Sequence, residues 1–451
     1  MKPGWKLVMI GVLLLVLGVP VMMLQGLNWE RQQRGREVAA DIANSSSRAQ
    51  TMIGPLLRIE VERSLRKRRM VGEGALVRSE EEIVRERESR LLTPTQLEID
   101  GSMGTQTRRR GLFEARVYDV DMQIGARFAM PALPAASDDV IEQRIVGAAL
   151  VLGLGDARGV RAVQARLGGV ALTPEPGSGL AWNAAGLHLP LTAAMWQSPL
   201  DLKLDLDLIG TESLQWLPVG DDTRVSLRGD WPHPSFEGQF LPVQRQVEGE
   251  AAANAVQGFN AEWRVSRLAA QAPQAVRDCG VAAASCAATS DTGFGLRLLD
   301  PVDRYLKTER AIKYAWLFIV LVFGALFFLE LLRPVRVHAL QYGLTGLALA
   351  MFFLLLLSLG EHVGFDLAYV VAAAACVGLV ATYMAAPLGS TGRAAGFGAL
   401  LAALYALLYG LLQSEDYALL MGALALFALL ATAMLLTRRL DWYRLGETRS
   451  S

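Results

Sequence analysis

Five apolar runs crowd the C-terminal part of this chain: residues 314–332, 339–359, 367–388, 394–412 and 417–436. Between 314 and 437 only eight side chains are formally charged: Glu330, Arg333, Arg336, Glu361, Asp366, Arg393, Glu415 and Asp416. All but Glu330 fall between the runs. At about 1.5 Å per residue each run spans roughly 30 Å, the thickness of a bilayer's hydrocarbon core. Backbone in lipid must satisfy its own hydrogen bonds, so each run is expected to be a membrane-crossing helix.

A further uncharged run, residues 7–24, follows Lys2 and Lys6. Residues 20–27 offer no small-x-small cleavage site, so the run reads as an uncleaved signal anchor with a cytoplasmic N-terminus. The short loops then alternate in sign. Arg333 and Arg336, Arg393, and the tail with Arg438, Arg439, Arg444 and Arg449 fall on one side. Glu361 with Asp366, and Glu415 with Asp416, fall on the other. Six spans with both termini in the cytoplasm satisfy the positive-inside rule at every loop.

The chain averages two unlike parts: mean hydropathy is +0.29, yet 20% of residues are charged, mostly before Lys313. A net charge of +0 gives no reason to expect nucleic acid. Arg66-Lys67-Arg68-Arg69 and Arg108-Arg109-Arg110 lie among carboxylates and read as solvated surface.

Residues 25–313 form the polar block. Val38, Ile42 and Met52 suggest a helix leaving the membrane, ended by Gly54-Pro55, and residues 56–61 read as a strand. Residues 62–90 read as an exposed excursion, with Glu80-Glu81-Glu82 and Arg85-Glu86-Arg87 spaced for helical pairs. Strand signals follow. Tyr118, Val120, Met122, Ile124, Ala126 and Phe128 alternate with polar or small residues, and Leu200 to Leu208 alternate with Asp201, Lys203, Asp205 and Asp207. Period two means a sheet with one buried and one wet face. Gly220-Asp221-Asp222 and Arg228-Gly229-Asp230 punctuate further strands, and 251–293 is expected to be less ordered at its centre. The expected architecture is an α+β membrane protein of six transmembrane helices, one N-terminal and five C-terminal. A large antiparallel β-rich periplasmic domain is inserted between the first and second. Its divisions are an anchor at 1–24, the β-domain at 25–313, the helical domain at 314–437 and a cytoplasmic tail at 438–451.

Signals for chemistry are sparse. His188, His233, His338 and His362 form no metal-ligand spacing, and the sequence has no phosphate loop, dinucleotide fingerprint or nucleophile elbow. No catalytic, cofactor-binding or metal-binding residue is assigned. Ser358, one helical turn before His362, is the only motive for a membrane hydrolase. Glu361, His362, Asp366, Glu415 and Asp416 form a candidate outer polar cluster. It reads either as a cation or proton site, or as acids that fix topology and cap helices. On the inner side Glu330 is expected to pair with Arg333, with His338 near the same interface as part of an anchor. Trp231, His233 and Phe236 mark a rigid proline-flanked loop that either binds a partner or closes a sheet edge. Cys279 and Cys286 are open to a disulfide or to two free thiols, and Cys376 reads as a small buried hydrophobe.

Several longer stretches carry a resemblance. They include Arg110-Gly-Leu-Phe-Glu-Ala-Arg-Val-Tyr118, residues 231–242, Gly258-Phe-Asn-Ala-Glu-Trp263 and Asp300-Pro-Val-Asp-Arg-Tyr305. Others are Arg310-Ala-Ile-Lys-Tyr314, His338-Ala-Leu-Gln-Tyr342, residues 354–362, Leu412-Gln-Ser-Glu-Asp-Tyr417 and Thr437-Arg-Arg-Leu-Asp-Trp-Tyr443. On these the chain resembles the inner-membrane CreD family, also called cell envelope integrity protein CreD; residues 62–90 and the Cys279–Cys286 region depart from it. The resemblance implies an inner-membrane protein of Gram-negative bacteria, tied to envelope integrity, a two-component stress regulon, colicin tolerance and β-lactam responses. It implies no catalytic residues. The leading expectation is a non-enzymatic protein whose β-domain binds envelope proteins or lipids and whose helices hold it in the bilayer. The alternative is an ion-coupled transporter or channel component using the outer cluster.

Overall fold

A computed structural model describes residues 3–71, 78–133, 139–247, 258–281, 286, 292–298, 304–332 and 337–413, with positions 420, 422–424, 427, 431, 434–435 and 438. The chain divides into two compact units, Met1–Arg36 with Val302–Ser451, and Glu37–Pro301.

In the second unit the strands begin with β1 (Gln50–Val71), β2 (Arg78–Leu92), β3 (Gln96–Arg110), β4 (Phe113–Phe128) and β5 (Val140–Gly153). Next come β6 (Val160–Leu167), β7 (Val170–Leu172), β8 (Glu175–Pro176), β9 (Gly186–Leu191), β10 (Leu200–Thr211) and β11 (Ser213–Trp216). The last are β12 (Asp222–Gly229), β13 (Pro234–Gly238), β14 (Gln244–Val247), β15 (Phe259–Ser266) and β16 (Phe294–Leu298). One eight-stranded sheet runs β13-β16-β11-β1-β5-β9-β8, with β2 also paired to β1; the other runs β14-β15-β12-β3-β4-β10-β6-β7.

Both sheets feed one apolar core. The two alternating runs meet there. Leu200, Leu204 and Leu208 of β10 stand opposite Phe128, Ile124 and Val120 of β4, all buried, while Asp201, Lys203 and Asp205 are exposed. Each such leucine contributes about 1.5–3 kcal/mol of burial. Trp216, Trp263 and Phe294 close the core with ring centroids 5.8–6.1 Å apart.

The sheets are not wholly antiparallel. β1 pairs with β11, and β12 with β3, in parallel. Hairpins force antiparallel neighbours, but these partners are far apart in sequence and free of that constraint. The described residues of 62–90 are also not helical: β1 and β2 pair antiparallel, with Arg63 against Glu88 at 3.0 Å and Lys67 against Glu86 at 2.5 Å, while 72–77 lie outside the described residues. Charges spaced for a helix serve equally as cross-strand partners once Leu57, Ile59 and Val61 commit the chain to a sheet. Near the centre of 251–293 stand β15 and a helix, α2 (Ala272–Cys279), so the described part of that stretch is more regular than its composition implies; 251–257, 282–285 and 287–291 lie outside the described residues.

The N-terminal helix, α1 (Pro3–Ser45), runs on well past the apolar stretch. Its C-terminal end is held in the β-unit by a buried polar knot. The Gln50 side chain donates to Ser47 Oγ (2.7 Å), Asp156 O (2.9 Å) and Ile209 O (3.1 Å), and accepts from Asp156 N (3.2 Å). Asp156 in turn accepts from Arg48 N and from the Arg158 guanidinium, whose Nη1 donates to Asn44 O at 2.7 Å. Arg158's hydrogen bonds hold the Asp156 carboxyl at about 2, well below its ordinary 3.8. Asn44, Ser47, Arg48 and Gln50 thus hold the turn from helix to strand.

The first unit adds α3 (Arg304–Lys313), α4 (Ala315–Leu332), α5 (Ala339–Val363), α6 (Phe365–Leu388) and α7 (Thr391–Gln413). α3 and α4 are bent by 42° at Tyr314. Four helices among the described residues are long and apolar enough to cross a membrane, or five if this bent pair counts as one span. The expected sixth span, 417–436, falls largely outside the described residues. α1 and α5 pack closely: a Cβ on Gly346 would lie 2.2 Å from the Leu17 side chain and 2.8 Å from the Phe323 ring, so a larger residue there requires those side chains to shift.

Candidate functional site

Polar side chains of the helical unit collect at its two ends. At one end Lys6 of α1 pairs with Glu330 of α4, and Glu330 also accepts from Val337 N (3.3 Å) and the Tyr342 hydroxyl (3.4 Å). The expected partner Arg333 lies outside the described residues. His338 caps α5: its Nδ1 accepts from Leu340 N at 3.2 Å, while Gln341 accepts from His338 N at 2.9 Å.

The other end holds the denser network, roughly 37 Å further along α1 by helical rise. Arg31 Nε lies 3.6 Å from Glu361 Oε1, which also accepts from the Tyr305 hydroxyl at 3.3 Å. Asn28 Nδ2 donates to Tyr305 O (3.3 Å), and Gln32 Nε2 to Glu309 Oε2 (3.1 Å). Asp366 Oδ1 accepts from Gln413 Nε2 (2.8 Å) and the Tyr409 hydroxyl (3.0 Å), and Lys307 Nζ donates to Gln413 Oε1 (3.2 Å). Helix α3 therefore fastens α1, α5 and α7 with three consecutive odd-numbered side chains: Tyr305, Lys307 and Glu309.

Of the outer cluster, Glu361 and Asp366 are drawn into this network. His362 is exposed, and its Nδ1 faces the Ser358 backbone oxygen at 3.1 Å, not the serine hydroxyl. Glu415 and Asp416 lie outside the described residues. Sequence reasoning missed Arg31, Tyr305, Lys307 and Gln413. The available signal was Tyr305, Thr308, Ala311 and Ile312, which recur at helical spacing and are all buried.

In the β-unit, Phe236 lies on edge strand β13 and packs edge-on to Trp263 (5.6 Å) and Phe259 (6.2 Å). Trp231 donates from Nε1 to His233 O (3.1 Å) and carries the Arg116 guanidinium 4.7 Å above its ring, while His233 is exposed. The Cys279 and Cys286 sulfurs are bonded to each other, and buried Cys376 is a free thiol. Among the described residues no group of three or more His, Cys, Asp or Glu could hold a metal ion.

Long apolar helices with polar ends, joined in sequence to a separate β-unit, define a multi-pass membrane protein that carries a folded polar domain. The sequence model of a family described as inner membrane protein CreD matches residues 2–443. The inner membrane protein CreD of Escherichia coli (strain K12) is 34% identical over 449 residues, covering 97% of this chain and 93% of that protein. The chain belongs to the CreD family, as a multi-pass protein of the inner membrane.

Proposed function

We propose that this chain is a non-enzymatic envelope-maintenance protein, with its β-unit in the periplasm as the binding part and its helices as the anchor. The observation that carries the reading is the sign of charge at the helix ends. Lys6 and Arg393 lie at one end with Glu330; at the other, the short connection from α5 to α6 carries Glu361 and Asp366 and no Lys or Arg, while Arg31 and Lys307 reach that end from α1 and α3. With basic residues inside, the N-terminus is cytoplasmic and the segment after α1 is periplasmic. Six spans with a cytoplasmic C-terminus complete the arrangement. A role in envelope integrity, colicin tolerance and β-lactam response follows as the setting in which such binding acts.

Glu361 and Asp366 are engaged by Arg31, Tyr305, Tyr409 and Gln413, which favours fastening over an ion path. The test is photo-crosslinking in intact cells from positions on the outer surface of the β-unit, including His233. Recovery of an envelope protein or lipid supports the reading; crosslinks to neither, from any position, count against it.

A further inference from the structure

The outer face of the second sheet carries its charges in rows. Register sets Arg224, Glu98, Gly125, Lys203 and Arg166 abreast across β12, β3, β4, β10 and β6. Two residues along, the adjacent row reads Ser226, Asp100, Gln123, Asp205 and Gln164. The first row holds three cations; the second holds two carboxylates, two amides, a hydroxyl and no cation.

Gly125 interrupts the first row. A Cβ there would meet nothing nearer than the Glu98 carbonyl oxygen at 4.0 Å, and the missing side chain floors a cleft of about 430 Å³. A volume of that size suits a small ligand. Lys203 and Arg166 stand directly opposite each other on its flank. Arg224 lies 4.0 Å from Glu98 and 3.9 Å from Glu262, but Lys203 and Arg166 have no ion-pair or hydrogen-bond partner among the described residues. Like charges facing each other across a ladder are destabilising, and an anion seated between them relieves that repulsion. Asp205, in the next row, is likewise without a partner among the described residues.

We infer that this cleft binds a small zwitterion. Its phosphate sits against Lys203 and Arg166, and its ammonium against Asp205, Asp100 and Gln123. Rows two residues apart are about 7 Å apart along the strand, a gap that a two-carbon link between phosphate and amine bridges. A phosphoethanolamine group, on a lipid or free, has this chemistry. The inference rests on the β-unit being the binding part, and it deepens that reading by naming the ligand class.

The test uses the full-length protein in phosphatidylcholine nanodiscs, titrated calorimetrically with glycerophosphoethanolamine. Gly125→Val fills the cleft without touching a charge and suits a strand better than glycine, so the fold is retained, as an unchanged melting transition would verify. We expect Gly125→Val, and separately Lys203→Ala with Arg166→Ala, to weaken binding about tenfold or more. Inorganic phosphate or ethanolamine alone should bind at least about tenfold more weakly than the joined zwitterion. Absence of binding to the unmodified protein, or unchanged affinity in Gly125→Val, overturns the site. Equal affinity for phosphate alone overturns the zwitterion. Replacing the disc lipid with phosphatidylethanolamine separates the sources: competition with the soluble probe marks a lipid headgroup, and its absence marks a free compound. A null titration alongside productive crosslinking elsewhere on the β-unit defeats this site and leaves the wider reading standing.

Discussion

Along the alternating strands of the β-unit, exposure and polarity go together; in the helical unit they do not. Along β10 from Leu200 to Leu208 every second residue is a buried leucine, and the residues between are charged and exposed or half-buried. Along α6 the exposed positions Leu367, Val370, Val371 and Leu379 are as apolar as the buried Ala372 and Val380. A strand in water must hide one face. A helix in lipid has nothing to hide from, and it needs polar groups only where it meets water. The same chain therefore obeys two opposite surface rules, and the point where the rule changes marks the change of solvent.

The sharpest way to break this contrast is to put charge where each unit forbids it. Leu206→Asp sets an unpaired carboxylate in the β-core, at a residue 2% exposed. We expect it to destabilise that unit by more than about 4 kcal/mol, read as loss of protease resistance in residues 37–301 of the full-length protein. A more discriminating pair uses two exposed apolar residues, Leu379 at 60% and Val170 at 55%. Leu379→Asp should cost about 2.5–3.5 kcal/mol in membrane insertion, read as the fraction recovered in membranes. Val170→Asp should change urea stability by no more than about 0.5 kcal/mol. Equal tolerance of both would mean that α6 does not face lipid.

The smallest effect concerns pH. The folded-state value of Asp156 is depressed, so its contribution is complete above the ordinary 3.8 and is lost as pH falls toward about 2. The stability difference between the unmodified protein and Asp156→Asn should be flat near neutrality and shrink between about pH 4 and pH 2. A difference that grew on acidification would contradict the role given to Arg158.

The alternation in residues 118–128 and 200–208 was enough to identify β4 and β10, because period two leaves a sheet little choice of face. The apolar runs marked α5, α6 and α7 to within a few residues, since bilayer thickness fixes their length. Less local features were not readable. The parallel partnership of β1 with β11 joins residues more than 150 positions apart, and no short window contains that pairing. Charges in 62–90 fit a helix or a hairpin equally well until the buried start of β1 decides between them. In the polar network, Glu361 and Asp366 were visible as acids in a short loop, but Asn28 and Gln32 lie more than 270 residues from their partners in α3. Tyr305 and Lys307 looked like ordinary residues of a polar stretch until α3 bent away from α4.

Orientation is the claim on which the functional reading turns, and the exposed hairpin residue Ile83 offers the most direct test. The measurement is labelling of Ile83→Cys in intact inner-membrane spheroplasts with a membrane-impermeant maleimide, in a Cys376→Ala background. Labelling before lysis, to the same extent as after it, is what a periplasmic β-unit requires. Labelling that appeared only once the membrane was opened would put the β-unit in the cytoplasm and contradict it.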